Sequence, residues 1–232
     1  MFKVIRLKTV LVSLGLVLLA VVLGFGVVKV VSMDTVPRYI YTIVLDAGHG
    51  GRDEGCSGLS GTKESEINLT ITKKLKEYLE TLGIRVVLTR SDGNGLYKSN
   101  VSNYKQSDME ERVKIINNAS PDMVISIHCN SYADREVKGA QVYYQEGDDI
   151  GKDFAHSVQG QLISQLDYAR DDIGKGDYYL LKEINIPAVI VETGYLTNVE
   201  DEINLKDEGY QNRVAYAIMC GVVKYFDLCG ND

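Results

Sequence analysis

Apolar and polar residues follow one another along the chain in blocks that suit strands and helices in turn. Residues 39–45 form a β-favouring run that ends in the glycine-rich turn Asp46-Ala47-Gly48-His49-Gly50-Gly51. Residues 50–63 are polar, lack any period, and are too long for a plain connection. Leu69, Leu75, Leu79 and Leu82, with Ile71, then mark the apolar face of a helix over about 65–82, with Gly83 as its stop. Residues 84–89 read as a second strand and 91–107 as a loop. A helix capped by Asp108 runs to about Asn118, with Val113, Ile115 and Ile116 inward. Residues 123–128 are almost wholly apolar, as in a strand covered on both faces. Residues 140–144, 178–181 and 188–192 read as further strands, the last closed by Thr193-Gly194. Helices are expected over 154–166, 200–205 and 210–226.

This alternation predicts an α/β fold: one domain, residues 39–232, with a mainly parallel central sheet flanked by helices. Residues 140–144 follow their predecessor without a helix, which leaves an antiparallel strand open there. Residues 32–38 read as a linker ending near Pro37. Before it, residues 10–28 are nineteen residues without a charge, about 28 Å of helix and so enough to span a bilayer. Lys3, Arg6 and Lys8 precede them, which orients residues 32 onward to the outside. Residues 1–31 are therefore expected to be a cytoplasmic stub and membrane anchor of an exported protein. A cleaved signal segment is the alternative, and no small-x-small cleavage site follows Val28.

Charge narrows the function classes. The net charge is −7, and residues 1–31 hold Lys3, Arg6, Lys8 and Lys29 with no acid, which leaves −11 on the remainder. A domain so acidic repels phosphate backbones, so nucleic acid is not an expected partner. Cys56, Cys129, Cys220 and Cys229 form no C-x-x-C pair and are expected as free thiols.

Polar side chains gather at predicted strand ends: His49 after the first, His128 closing the third and Glu192 closing the last. In an open parallel sheet these ends share one edge. Glu64, where the polar excursion enters the first helix, can face the same edge. Two histidines and a carboxylate with an open fourth position make a catalytic zinc set, and a further carboxylate such as Glu192 suits a general base. Structural readings compete at each position. A histidine ending a strand commonly serves only hydrogen bonding, although two of the chain's three histidines stand at such ends. Glu66 rivals Glu64, or else caps the helix start. Glu192 can instead pair with Arg52 or Arg90, and His156, at a polar helical position, belongs to the surface.

Five segments occur in order: Asp46-Ala47-Gly48-His49-Gly50-Gly51, Lys63-Glu64-x-x-Ile67-Asn68-Leu69, Val87-Leu88-Thr89-Arg90, Ser126-Ile127-His128-Cys129-Asn130-Ser131 and Val191-Glu192-Thr193-Gly194-Tyr195-Leu196-Thr197-Asn198. Over about residues 40–226 they resemble the zinc-dependent N-acetylmuramoyl-L-alanine amidase family (the type 3 amidase domain). The resemblance implies zinc on His49, Glu64 and His128, with Glu192 as the catalytic carboxylate. It also implies peptidoglycan as substrate, cut between the lactyl group of N-acetylmuramic acid and L-alanine of the stem peptide. Ala47 stands where the family usually has proline, so the turn is expected to lose rigidity. Cys129 replaces a common alanine and is a competing soft ligand unless it points inward, and Thr193 replaces a commoner hydrophobic residue. The span from His128 to Glu192 is too short for the inhibitory helix of some relatives.

The single N-terminal segment and the stretch Tyr179-Leu180-Leu181-Lys182 resemble the germination-specific subgroup. That implies action on spore cortex, where peptide removal precedes muramic δ-lactam formation, in the forespore intermembrane space or cortex. A zinc peptidase cutting within the stem peptide and a non-catalytic wall-binding protein are the alternatives. A protein partner that regulates the enzyme or steadies the metal site is compatible with Ala47.

Overall fold

Six strands, β1 (Thr42–Ala47), β2 (Arg85–Leu88), β3 (Met123–Asn130), β4 (Gln141–Tyr144), β5 (Gly174–Lys175) and β6 (Ala188–Tyr195), form one sheet. Its order is β2-β1-β3-β6-β4-β5. β2, β1, β3 and β6 are mutually parallel, β4 runs antiparallel to β6, and β5 is parallel to β4. The helices are α1 (Glu64–Thr81), α2 (Tyr104–Ala119), α3 (Asp149–Gln165), α4 (Tyr179–Glu183), α5 (Val199–Lys206) and α6 (Glu208–Phe226). The computed structural model describes residues 40–228, with residues 14 and 16–20, which are helical. Most of the expected anchor and the whole 32–38 linker lie outside the described residues. Among the described residues no helix is long and apolar enough to cross a membrane.

The two faces of the sheet differ because strand side chains alternate. Ile43, Leu45, Ile125, Ile127, Val189 and Val191 point to one face and are fully buried against α1, α3 and α6. That face is apolar over most of its length, with Thr193 a buried polar residue near its end. On the other, Val44, Val124, Ala188 and Ile190 pack against Ile116 of α2 and Leu180 and Leu181 of α4. Toward the strand carboxyl ends this second face turns polar, with Asp46, Ser126, His128 and Glu192.

Several expectations need correction. Residues 178–181 are not a strand. Their apolar run enters α4, which turns Leu180 and Leu181 onto the sheet, with Ile184 following them. A four-residue apolar run fits strand and helix alike, and the sheet already had its neighbours. Asp108 caps nothing: α2 starts at Tyr104, and Asn103 caps it by accepting from Gln106 N at 3.2 Å. Asp108 sits one turn inside and binds Arg112 Nε at 2.6 Å. Thr193-Gly194 does not close the last strand, which runs on to Tyr195 through a bulge opposite His128 and Asn130. The antiparallel strand left open at 140–144 is present as β4.

Under the polar edge lies a buried charge network. Asp46 is 1% exposed and accepts from Arg112, from Ser126 Oγ at 2.6 Å and from Thr89 Oγ1 at 2.7 Å. Burial pushes the Asp46 carboxyl up, but Arg112, Ser126 and Thr89 outweigh it and hold the group at about 2. A carboxyl depressed from 3.8 contributes stability in full above about pH 4 and loses it as pH falls through about 2. That contribution is about 2 kcal/mol. Asp46→Asn is expected to cost roughly 3–5 kcal/mol at neutral pH by stripping a partner from a buried guanidinium. Melting temperatures measured between pH 4 and 2 should then fall less steeply in the variant than in the wild type.

Candidate metal centre

The turn after β1 leaves the sheet at Gly48, whose N–H still donates to Ile127 O at 3.0 Å. A side chain at Gly48 would meet the imidazole of His128 at 2.3 Å, so glycine here lets that ring lie over the backbone. His49 follows with φ 62, a left-handed conformation unusual for a non-glycine residue. Two buried arginines hold this geometry. Ala47 O accepts from Arg90 Nε at 2.9 Å and Arg112 Nη1 at 2.8 Å. Gly48 O accepts from Arg90 Nη2 at 3.0 Å, and His49 O from Arg112 Nη2 at 2.6 Å. Rigidity that a proline would lend at position 47 is here supplied by guanidiniums. Arg90 is thereby engaged with carbonyls and makes no pair with Glu192.

The polar excursion 50–63 is fastened rather than loose. Glu202 of α5 accepts from Ser60 N at 2.9 Å, Ser60 Oγ at 2.7 Å and Thr62 Oγ1 at 2.8 Å. Nearer the site, Cys56 N donates to Glu64 Oε2 at 2.8 Å. Gly55, at φ +74, leaves room for that carboxylate, which a Cβ would meet at 2.4 Å. Glu64 begins α1, where the positive helix end favours an anion.

His49, Glu64 and His128 come together: one donor atom from each lies within 4.8 Å of the others. Glu64 Oε1 is 3.2 Å from His49 Nε2 and 3.0 Å from His128 Nδ1. The other nitrogen of His49, Nδ1, faces Asp53 Oδ2 at 2.9 Å, and Asp53 is paired in turn with Lys105 at 3.0 Å. Burial pushes the Glu64 carboxyl up, but His128 and His49 outweigh it and hold it well below the carboxylate range. Burial likewise lowers His49, and its bonds to Glu64 and Asp53 raise it overall. Glu66 and His156 are exposed and take no part. Cys129 points inward, its sulfur 3.5 Å from Asn68 Oδ1 and 3.4 Å from Thr193 Oγ1, so it does not compete for the site. Cys56, Cys129 and Cys220 are free thiols, and Cys229 lies outside the described residues.

Glu192 stands beside this cluster, in register with His128 on the neighbouring strand. It is 6% exposed, and its Oε2 has no hydrogen-bond partner among the described residues. Burial, helped by the charge of Glu64, raises its carboxyl to about 7 against the opposing pull of His128, His49 and Tyr178. A buried acceptor without a partner is costly to a fold. The adjoining cavity, about 290 Å³, is lined by His49, His128, Asp53, Lys105, Met109 and Tyr178. Sequence reasoning missed Asp53, Tyr178, Arg112 and the clamping role of Arg90. Asp53, four residues after His49, and Arg112, four after Asp108, offered spacings that could have been read.

Fold and site together gather two imidazoles and two carboxylates near the strand carboxyl ends of an α/β sheet. The profile of the N-acetylmuramoyl-L-alanine amidase family matches residues 43–224, and the chain belongs to that family. It is 30% identical over 188 residues to the germination-specific N-acetylmuramoyl-L-alanine amidase of Bacillus subtilis (strain 168), covering 79% of each chain. Among solved structures it resembles the CwlD amidase of Clostridioides difficile, determined in complex with the GerS lipoprotein. That likeness has a TM-score of 0.77 and 38% identity, over 81% of this chain and 98% of the other. The catalytic domain of the amidase CwlV from Bacillus (Paenibacillus) polymyxa gives 0.73 and 33%, over 82% and 99%.

Gly48→Ala is expected to drive the His128 ring off Glu64, because the new methyl occupies the ring's place. A crystal structure of the variant reads this directly. A ring still 3.0 Å from Glu64 Oε1 would show that the glycine is not required.

Proposed function

We propose that the chain is a zinc-dependent N-acetylmuramoyl-L-alanine amidase that releases the stem peptide from peptidoglycan in the spore cortex. The observation that carries the metal reading is the convergence of His49 Nε2, Glu64 Oε1 and His128 Nδ1 beside Glu192, whose Oε2 is unpartnered among the described residues. The donor set fits zinc: two imidazoles and a carboxylate, with the remote nitrogen of His49 on Asp53 and the remote oxygen of Glu64 on Cys56 N. Zinc there would supply a Lewis acid to the lactyl carbonyl and to water.

Glu192 takes the proton of the attacking water and delivers it to the departing L-alanine nitrogen. Its buried position favours the protonated form more than water does, which makes the carboxylate a stronger base than an exposed one. Asp53 fixes the tautomer and direction of His49. Tyr178 borders Glu192 and narrows the cavity beside the histidines, which the reacting bond enters.

The cortex assignment is supported by the germination-specific Bacillus subtilis relative. Residues 1–31 act as the membrane anchor and 32–38 as the tether of a catalytic domain over 39–232, outside the cytoplasmic membrane. A protein partner is supported by the Clostridioides difficile relative, whose structure includes a lipoprotein.

Glu192→Ala should abolish peptide release from purified peptidoglycan while zinc stays bound, whereas His49→Ala and His128→Ala should lower zinc content by metal analysis. Normal turnover in Glu192→Ala would remove Glu192 from the mechanism. Product mass separates the activities: an intact stem peptide marks the amidase and a shortened one a peptidase. Asp53→Asn is expected to weaken zinc affinity roughly 10- to 100-fold, as loss of an outer carboxylate does elsewhere, read by competition with a chelator.

A further inference from the structure

We propose that Arg170 is a specificity residue that receives a free carboxylate of the substrate's peptide. The inference rests on the amidase reading and extends it to the leaving group.

Strand register places the residue. His128 pairs with Glu192 across β3 and β6, and Glu192 pairs with Gln141 across β6 and β4. Beyond β4, Ala140 is bridged in parallel to Ala169, and Arg170 N donates to Ala140 O at 2.9 Å. Arg170 is therefore level with Gln141. Paired residues share a face, so His128, Glu192, Gln141 and Arg170 form one row across the polar face. Two strand spacings separate Glu192 from Arg170, about 10 Å.

The row is built to hold this end in place. Gln141 accepts from Tyr143 Oη at 2.9 Å and donates to Asp172 O at 3.1 Å and Asp172 Oδ1 at 3.3 Å. Gln141 thus fixes the segment that carries Arg170 and also engages the Asp172 carboxylate. Asp167 faces Arg213 at 4.0 Å. Among the described residues Arg170 enters none of the ion pairs, unlike the buried Arg112 with Asp46 and Asp108. Arg170 lines an open groove with Lys138, Tyr168, Asp167, Asp171 and Asp172; Lys138 is already paired with Glu200, Asp172 takes a bond from Gln141 and Asp167 faces Arg213. The guanidinium charge also reaches the cleft: burial raises the phenols of Tyr143 and Tyr195, and Arg170 pulls both back.

Polarity of the reaction sets what lies there. Glu192 protonates the departing nitrogen, so the peptide leaves on the Glu192 side of the histidines, and the row continues from Glu192 toward Arg170. An extended peptide covers about 10 Å in three residues. A carboxylate within about three residues of the cut bond therefore reaches the guanidinium, which binds such groups through paired N–H donors.

The test compares a soluble muramoyl-tripeptide carrying free peptide carboxyls with its fully amidated counterpart, using the full chain and its Arg170→Gln variant. Wild type is expected to favour the free acid by about 10- to 100-fold in kcat/KM, chiefly through KM, the range of a charge-assisted hydrogen bond. Arg170→Gln should lose that preference while its turnover of the amidated substrate and its zinc content stay unchanged, and Arg170→Lys should restore part of it. Equal losses on both substrates, or a wild type indifferent to amidation, would overturn the proposal. Calorimetry with the free-acid tripeptide, the leaving group alone, keeps this separate from the amidase reading. Binding that disappears in Arg170→Gln supports the carboxylate contact even if no muramoyl bond is cut. Equal binding by both proteins refutes it.

Discussion

Two buried guanidiniums set the geometry on which the site depends. Where β1 ends, the carbonyls of Ala47, Gly48 and His49 turn out of the sheet ladder, and buried carbonyls must find other donors. Arg90 and Arg112 supply them. The same pair reaches further, because Arg90 Nη2 donates to Ser65 O at the start of α1, 2.8 Å away, and Arg112 arrives from α2. Four elements therefore meet at one turn. Burial, and then the charge of Arg112, lowers Arg90 to about 10, so both groups remain cationic near neutrality. Asp46 and Asp108 offset the cost of two charges held out of water.

Division of labour between the faces follows from this. An apolar face packed by α1, α3 and α6 supplies most of the core, and its burial gives the hydrophobic stabilisation. On the opposite face α2 and the short α4 cover the sheet, and at the carboxyl ends α2 brings Arg112 onto Asp46 and helps wall the cavity beside His128. The space they leave there is the cavity of about 290 Å³ that His49 and His128 line. The bulge in β6 ends regular pairing just past Glu192.

Much of this was legible in the residues. Long apolar periods gave the major helices, and apolar runs gave the central strands, because burial on one stripe or on both faces leaves a strong imprint. Strand ends put His49 and His128 at one edge and the helix start let Glu64 face it, and the three side chains do come together. The clamps were not legible, since Arg90 and Arg112 bind backbone carbonyls, and a carbonyl has no identity in a sequence. Ala47 for that reason looked like a weak point, though its support lies 43 and 65 residues away. The two-residue β5 and the helix at Tyr179–Glu183 were equally hidden, being too short for any period to emerge. Asp108 looked like a cap because a short polar residue before an apolar run is the usual signature. Its real partner, Arg112, lies one turn on.

The tether between Glu202 and the excursion has a consequence for how the site meets its ligands. Glu202 stands on the helix that directly follows the strand of Glu192, and it grips Ser60 and Thr62 on the segment that leads to Glu64. Gly58 has no side chain because the head of Glu202 occupies that space. One long closure is thus divided into two shorter ones, and its ordering entropy is spent when the chain folds. The strand that carries Glu192 and the segment that leads to Glu64 are thus joined by a brace outside the cluster. What enters the cleft finds their separation already set, and no part of its binding energy goes to gathering the walls.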